Sequence, residues 1–147
     1  MQLNSVSSRR DLRQFIRFPY RLYADDPNWV PPLWSEQWAQ FDPKKNPMLD
    51  HCDTQFFLLK ENGRVIGRCS AFVDHLAVTH WREPIGLFGS FECVENGVAA
   101  HTLLNAAQEW LAGQGMVKMR GPWSFASQEW GLEIEGGERP PVILAPH

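Results

Sequence analysis

The stretch from 83 to 123 alternates between strand-like and helical patterns, and it limits the folds open to this chain. A first strand is predicted at 84–94, a helix at 97–113 and a second strand at 116–120. The helix prediction rests on one apolar stripe at helical period, formed by Ala100, Leu103, Leu104, Ala107, Trp110 and Leu111. Because a crossover helix returns the chain to the same edge of a sheet, the two strands are expected to be parallel neighbours.

Both ends of this helix carry sequence signals. Asn96 is a suitable N-cap, because its side-chain oxygen can accept a hydrogen bond from a free backbone N–H. Gly113 and Gly115 favour a helix end, since glycine adopts positive φ without strain.

The N-terminal residues predict a strand and a helix. A strand at 2–6 precedes Ser8 and Asp11, whose spacing resembles a capping box. A helix is expected over 9–18. Pro19 should interrupt or kink it, because proline lacks an N–H group and clashes with the preceding turn.

Arginines recur at every fourth position from this helix onward. If the helix continues, they form one basic stripe, made of Arg9, Arg13, Arg17 and Arg21. A solvated helix face is the simpler interpretation of such a stripe. The alternative is contact with a phosphate or another anion, which suits the geometry of arginine.

A β-hairpin is predicted in the middle of the chain. Strands at 55–59 and 64–73 flank Asn62 and Gly63, and this dipeptide favours a type I′ turn with positive φ at both residues. Gly67 inside the second strand suggests a bulge or a close backbone approach. The remaining segments are a short helix at 34–41 and a connection at 74–82.

Composition limits the possible partners and compartments. The 147 residues form one predicted domain, 1–147, with a formal net charge of −3 and no domain-wide basic surface, which argues against nucleic acid as a partner. No apolar run approaches the roughly 18 residues of a membrane span, so no membrane association is expected. Three cysteines form no disulfide framework, and the N-terminus lacks a secretory signal pattern; together they favour a cytoplasmic protein.

The predicted order of elements resembles the GNAT acetyltransferase fold, an α+β fold with a mixed, mostly antiparallel sheet. Several motifs are similar to an uncharacterised bacterial branch of GNAT-like proteins, namely those at 15–23, 26–33, 86–92 and 120–122. The resemblance covers nearly the whole chain. It implies a further helix and a closing β-hairpin that the sequence does not match, so the chain is expected to be the N-terminal part of a longer relative.

The resemblance implies acetyl-CoA as the acyl donor and an amine as the acceptor. In such proteins a splayed strand edge pairs with pantetheine, and a glycine-containing helix N-terminus holds the pyrophosphate. The matching residues are the expected cofactor-binding set: Cys93, Val94, Asn96, Gly97, Val98 and Ala99. This stretch has no arginine, and Glu95 adds a negative charge where a phosphate would lie.

Glu92 is the candidate catalytic base. It lies in the strand at 84–94, where a carboxylate beside a cleft can accept a proton from the amine. The alternative is a structural ion pair with Arg68 or Arg120. Strict alternation places Phe88, Ser90, Glu92 and Val94 on one face of the strand and Leu87, Gly89, Phe91 and Cys93 on the other.

The remaining candidate residues have simpler structural interpretations. Cys93 could be a nucleophile only with a histidine in reach, such as His101 or His75, and a buried inert thiol is favoured. Neither 51–53 nor the His75–His80 pair has the spacing of a structural metal site, so no metal is expected. Two tryptophans after the last strand either line an acceptor cleft or cover the core; they are Trp123 and Trp130.

Three hypotheses of function follow. The first is an acyl-CoA-dependent N-acyltransferase with an unknown acceptor. The second is a non-catalytic GNAT-fold module that binds a ligand or a protein, which the altered pyrophosphate loop favours. The third is an inactive truncated fragment, whose open sheet edge would lead to self-association.

Overall fold

A computed structural model of the protein describes residues 1–125, and these fold into one five-stranded sheet with helices on both faces. The strands are β1 (Gln2–Ser5), β2 (Cys52–Glu61), β3 (Arg64–Asp74), β4 (Ile85–Cys93) and β5 (Lys118–Arg120). The helices are α1 (Arg9–Leu22), α2 (Trp34–Gln40), α3 (His75–Trp81) and α4 (Gly97–Gly113), with a 3₁₀ turn at Pro47–His51. None of these helices is long and apolar enough to cross a membrane.

The sheet has the strand order β1-β2-β3-β4-β5. Neighbouring strands from β1 to β4 are antiparallel, while β4 and β5 are parallel and are joined through α4. The predicted α+β class and strand–helix–strand unit are therefore confirmed. Asn96 caps α4 as expected.

The β2–β3 hairpin forms as its sequence predicts. Asn62 and Gly63 both have positive φ, 49° and 75°, as a type I′ turn requires. Gly67 satisfies both expectations for its position. The pairing register shifts between Leu59 and Lys60, which face this part of β3, and a Cβ on Gly67 would lie 2.7 Å from Leu103.

Two hydrophobic clusters cover the two faces of the sheet. On one face α4 packs against alternate residues of β2 and β3, burying Phe57, Leu59, Cys69, Ala71, Val73, Leu103, Ala107 and Leu111. On the other face α1 and the loop after α2 bury an aromatic cluster that includes Phe15, Phe18, Phe41, Phe72 and Phe125. Because successive side chains of a strand point to opposite faces of the sheet, these strands contribute to two separate hydrophobic cores.

The expectation that Pro19 interrupts helix α1 was wrong, while the alternative of a kink stays a prediction. The helix continues to Leu22, with Pro19 buried inside it. A proline in a helix leaves the carbonyl four residues earlier without its usual donor, here that of Phe15. The guanidinium of Arg68 donates to this oxygen at 2.9 Å, so the interruption is satisfied from the sheet.

The segment 74–82 is a helix rather than a plain connection. Asp74 lies at its N-cap, where one carboxylate oxygen accepts from the N–H groups of Leu76 and Ala77 at 3.0 and 3.1 Å. Aspartate is a favoured N-cap residue, and this signal was present in the sequence.

The predicted alternation along β4 was also wrong, because the strand contains a bulge. Ser90 has φ of 44°, and the register to β3 shifts between Arg68 and Ser70. Phe88 before the bulge and Cys93 after it pack on the same, α4-side, cluster. A bulge of one residue reverses the facing of everything that follows it, which brings Glu92 to the α1 side of the sheet.

Position 89 is predicted to require glycine, because the segment after β5 passes very close to the backbone of β4 there. A Cβ added to Gly89 would lie 1.6 Å from the carbonyl oxygen of Trp123, which is backbone and cannot rotate away. Gly89→Ala should therefore lower the free energy of unfolding by roughly 1–3 kcal/mol in urea denaturation. Gly97→Ala is the matched control, since no atom lies within 4 Å of its added Cβ. Equal denaturation midpoints for the two variants would contradict this account.

Candidate active site

Within the described residues, 1–125, β4 is longer than its neighbour β5. Parallel pairing with β5 stops at Leu87 and Arg120, and one further bond joins the N–H of Trp123 to the carbonyl of Phe88 at 2.7 Å. Beyond this point β4 continues to Cys93 with no β5 partner among residues 1–125. After Trp123 the chain leaves β4, since Phe125 packs in the α1-side cluster, so the two described strands part beyond Phe88.

The bulge lies in the splayed part of β4. Ser90 and Phe91 together oppose Cys69 of β3, so one residue of β4 is left outside the ladder. An unpaired N–H at such a point can donate to a carbonyl oxygen of a ligand. A carbonyl oxygen gains negative charge when a nucleophile attacks the carbonyl carbon, and an N–H donor can stabilise that charge.

Glu92 lies beside the bulge in an ion pair with Arg68. One edge of the guanidinium binds both carboxylate oxygens: Nε donates to Oε2, and Nη2 donates to Oε1 at 3.1 Å. Arg68 is 5% exposed, also donates to the Phe15 carbonyl, and lies over the Phe15 ring at 4.9 Å. The structure therefore selects Arg68 over Arg120 as the partner of Glu92. Whether Glu92 also acts as a base stays a prediction.

Tyr23 is close to this ion pair, although the sequence analysis gave it no role. Burial raises its pKa from 10.0 to about 12, and the negative charge of Glu92 acts in the same direction. The phenol is therefore protonated at neutral pH and can donate a hydrogen bond or a proton. The sequence did place Tyr23 near the end of the first helix, but this position alone does not identify a functional residue.

Cys93 faces the α4-side cluster and has no histidine among its hydrogen-bond partners in the part of the chain that the structure describes. Burial, with a contribution from Glu92, raises the pKa of its thiol above 9.0. This favours the neutral thiol over the nucleophilic thiolate. His101 is exposed on α4 and His75 lies on α3, so neither supplies the required partner.

The N-terminus of α4 follows directly after β4. Its first free N–H groups are already occupied, since the Asn96 side chain accepts from Val98 at 2.9 Å and from Ala99 at 3.2 Å. Gly97 is exposed and open, and the N–H of Val94 donates to Ile66 within the sheet. The structure thus gathers the predicted cofactor-binding residues at one edge, but with a side chain where a phosphate would bind.

An aromatic cluster extends from Tyr23 along α1 toward α2. Tyr23 contacts Trp29 with ring centroids 5.4 Å apart, and Tyr20 contacts Trp29 and Trp34 at 5.5 and 5.6 Å. The Tyr20 hydroxyl donates to the carbonyl of Pro32 at 2.7 Å. These contacts fix the proline-rich segment after α1 beside the Glu92 end of β4.

The histidines flagged in the sequence form side-chain pairs. His51 Nδ1 lies 3.0 Å from Asp74 Oδ1, and His75 Nε2 lies 2.8 Å from Asp53 Oδ2. Cys52 joins His51 and Asp74 in a group whose ligand atoms lie within 4.8 Å of one another. The same Asp74 oxygen caps α3, so the carboxylate has a structural role. His51 and Cys52 are adjacent in sequence, and His51 Nδ1 lies 3.8 Å from Cys52 Sγ.

The two tryptophans proposed for an acceptor cleft differ in status. Trp123 is 41% exposed and lies at the splay through its backbone. Trp130 and the apolar segment at 142–144 lie outside the described residues. The expected self-association through a sheet edge also stays a prediction.

Two curated bacterial proteins are similar to nearly the whole chain. Protein YghO of Escherichia coli is 39% identical over 141 residues, 95% of this chain and 36% of that protein. The bacterial ceramide synthase of Caulobacter vibrioides is 35% identical over 144 residues, 97% of this chain and 38% of that protein. The chain thus spans little more than a third of the length of these relatives. No protein-family model matches it.

Several solved acetyltransferases share this architecture. AAC(6′)-Iy, solved with a CoA-containing bisubstrate analogue, aligns with a TM-score of 0.59 at 16% identity, over 84% of this chain and 81% of that one. A GNAT-family acetyltransferase from Staphylococcus aureus gives a TM-score of 0.53 at 14% identity, over 78% and 69% of the two chains. The chain has the GNAT acetyltransferase fold, as its sequence motifs indicated.

The buried phenol of Tyr23 predicts an alkaline loss of stability. Its folded-state pKa of about 12 exceeds the ordinary 10.0, so the folded protein holds this proton more tightly than the unfolded chain. The resulting stability is complete below pH 10 and is lost as the pH rises through 12. Urea denaturation across this window should give a shallower decline for Tyr23→Phe than for the wild type.

Two thiols contribute to the same alkaline loss of stability. Burial raises the pKa values of Cys52 and Cys69 from 9.0 to about 12. The wild type and Tyr23→Phe both contain these thiols, so their contribution is the same in the two proteins. Only the tyrosine share should disappear. Identical pH profiles for the two proteins between pH 10 and 12 would show that Tyr23 titrates normally.

Proposed function

We propose that the protein is an acyl-CoA-dependent N-acyltransferase that transfers an acyl group to an amine. The observation that carries this proposal is the splayed, bulged end of β4, which offers backbone groups to an extended ligand within a GNAT fold. A bound acyl-CoA supplies a thioester carbonyl activated for attack. The described residues that would hold it are those at the end of β4 and the start of α4.

The reaction balances without a further reactant. The amine nitrogen forms a bond to the thioester carbon, the carbon–sulfur bond breaks, and the sulfur leaves with the electron pair. One proton leaves the amine. The chain contributes orientation of the two substrates and a backbone N–H near Ser90 toward the carbonyl oxygen.

Glu92 is the proposed acceptor of the amine proton. Arg68 fixes its carboxylate through two hydrogen bonds, and about a fifth of the side chain remains exposed, 21%. Tyr23 is the proposed hydrogen-bond donor to the leaving sulfur, since its phenol is protonated at neutral pH.

The acceptor class follows from one relative and one surface. The Caulobacter vibrioides protein is a ceramide synthase, and a ceramide is a long-chain amine carrying an acyl group on nitrogen. The aromatic cluster of Tyr20, Trp29 and Trp34 begins next to Tyr23 and offers apolar surface to such a chain. We therefore propose a long-chain amine as the acceptor.

A non-catalytic binding module is the second candidate function. Asn96 occupies the N–H groups of Val98 and Ala99 that would otherwise face a pyrophosphate. Glu95 is exposed beside them and repels negative charge. On this alternative the fold is kept while the donor site is lost.

Acyl-CoA binding separates these two functions. Melting of the 147-residue protein with acetyl-CoA and with the longer octanoyl-CoA should shift upward, by about 2.7 kcal/mol of stability at one hundred times the Kd. Asn96→Ala removes a cap worth about 1 kcal/mol, so the free variant should melt lower. It also frees two N–H groups, so its shift with acyl-CoA should be larger than that of the wild type.

Gly97→Ala is the control for local changes at this helix end, because its Cβ meets no atom within 4 Å and it leaves the cap intact. A cooperative melt with no shift in the wild type and in Asn96→Ala would favour the non-catalytic module. A shift in the wild type that Asn96→Ala leaves unchanged would place the pyrophosphate elsewhere.

The role of Glu92 has its own test. Glu92→Gln keeps a hydrogen-bonding partner for Arg68 but cannot take a proton at neutral pH. Single-turnover transfer to a long-chain amine should fall roughly 100-fold or more, while the melting shift with acyl-CoA is retained. If Glu92→Gln transfers at the wild-type rate, Glu92 has a structural role and the proposal of acyl transfer is unaffected. No transfer by the wild type, despite acyl-CoA binding, would contradict the proposed acceptor class.

A further inference from the structure

A stripe of positive charge follows the outer side of α1. All five arginines of this helix are exposed: Arg9, Arg10, Arg13, Arg17 and Arg21. At 100° per residue they fall within about 120° of the helix circumference and extend over about 18 Å of its length. None of them lies in a salt bridge among residues 1–125, and Arg9 also lies over the ring of Trp38 at 5.7 Å. We call this set the arginine stripe.

The stripe is more basic than the protein as a whole. Asp11 is the one acid of α1, and it accepts a hydrogen bond from the Ser8 hydroxyl at 2.6 Å. The exposed acids nearby lie beyond the end of α1 or on α2, at Asp25, Asp26 and Glu36. Five cations against one anion on this helix contrast with a formal net charge of −3 for the chain. The whole-chain charge therefore conceals a local cationic surface.

Exposed apolar side chains lie immediately beside the stripe. Tyr20 falls between Arg9 and Arg13 around the helix, and it holds the segment 29–34 through its hydroxyl and its ring contacts. Three side chains of this segment point outward despite their size: Val30 is 51% exposed, Leu33 64% and Trp34 37%. We call these three the apolar tip.

We propose that the arginine stripe and the apolar tip together bind the surface of an anionic lipid bilayer. Arginines near such a surface are attracted to its negative potential, and a tryptophan beside aliphatic side chains suits the boundary between headgroups and acyl chains. The sequence analysis expected no membrane partner because no apolar run is long enough to span a bilayer, but binding at the bilayer surface needs no spanning segment. The inference does not depend on acyl transfer, although a long-chain amine would be met at the same surface.

The combination of the two features favours a bilayer over other partners. Either one alone gives weak, reversible binding, while apolar insertion and charge attraction together give stable association. A nucleic acid would neutralise the stripe but leave Val30 and Leu33 in water. A protein partner or a second copy of the chain would cover the apolar tip without needing five adjacent cations.

Vesicle co-sedimentation of the 147-residue protein tests the proposal. Vesicles of phosphatidylcholine mixed with phosphatidylglycerol should carry the protein down, and vesicles of phosphatidylcholine alone should not. Binding should weaken as salt is raised, because the attraction is screened over about 10 Å at 0.1 M salt. No binding to the anionic vesicles at low salt would overturn the proposal.

Two variants separate the contributions of charge and apolar surface. Arg13→Gln with Arg17→Gln should weaken partitioning about 25-fold, about fivefold for each arginine. Leu33→Ser should weaken it about tenfold. Leu33 is the N-cap of α2 and makes no side-chain cap bond, so serine there favours the folded helix.

The matched control removes the same charge elsewhere. Arg64→Gln with Arg82→Gln changes two exposed arginines, at the β2–β3 turn and after α3, and should bind vesicles like the wild type. An equal loss of vesicle binding in this control would show that net charge alone determines binding, and it would overturn the proposal. Full binding by Leu33→Ser, with a short oligonucleotide competing for the stripe, would identify a polyanion site instead. A dimer in light scattering that Leu33→Ser dissociates would assign the apolar tip to a second copy.

Discussion

Arg68 on β3 links helix α1 to strand β4, two elements that are far apart in the sequence. Its guanidinium takes the Phe15 carbonyl that Pro19 leaves without a helical donor, and it holds both carboxylate oxygens of Glu92. A charge this deeply buried is stable only when all its partners are in place. The position of α1 on the sheet and the position of Glu92 at the cleft are therefore set by the same side chain.

The bulge at Ser90 makes this connection possible. Under strict alternation Glu92 would share the face of Phe88, among the apolar side chains of the α4-side cluster. With the extra residue, the carboxylate meets Arg68 directly across the β3–β4 pair. The same bulge interrupts the ladder where the two parallel strands part, so the ion pair and the unpaired backbone arise from one local insertion.

Much of the fold was predictable because its signals are local and periodic. The apolar stripe of α4, the turn at Asn62 and Gly63 and the cap at Asn96 each specify structure through neighbouring residues alone. The errors arose where a distant group decides the outcome. Pro19 stays in a helix because Arg68 arrives from the sheet, and no pattern around Pro19 reveals this. The bulge likewise depends on pairing with β3. The proximity of Tyr23 to Glu92 depends on two such features, the continuation of α1 past Pro19 and the bulge in β4.

The close approach at Gly89 has a consequence for the evolution of the cleft. The carbonyl of Trp123 lies where a side chain would begin, so backbone atoms on both sides determine how far the two strands part. The distance between β4 and the segment after β5 is then set at this point by main-chain atoms. The side chains of the aromatic cluster lie outside this contact, so they can vary during evolution without disturbing it.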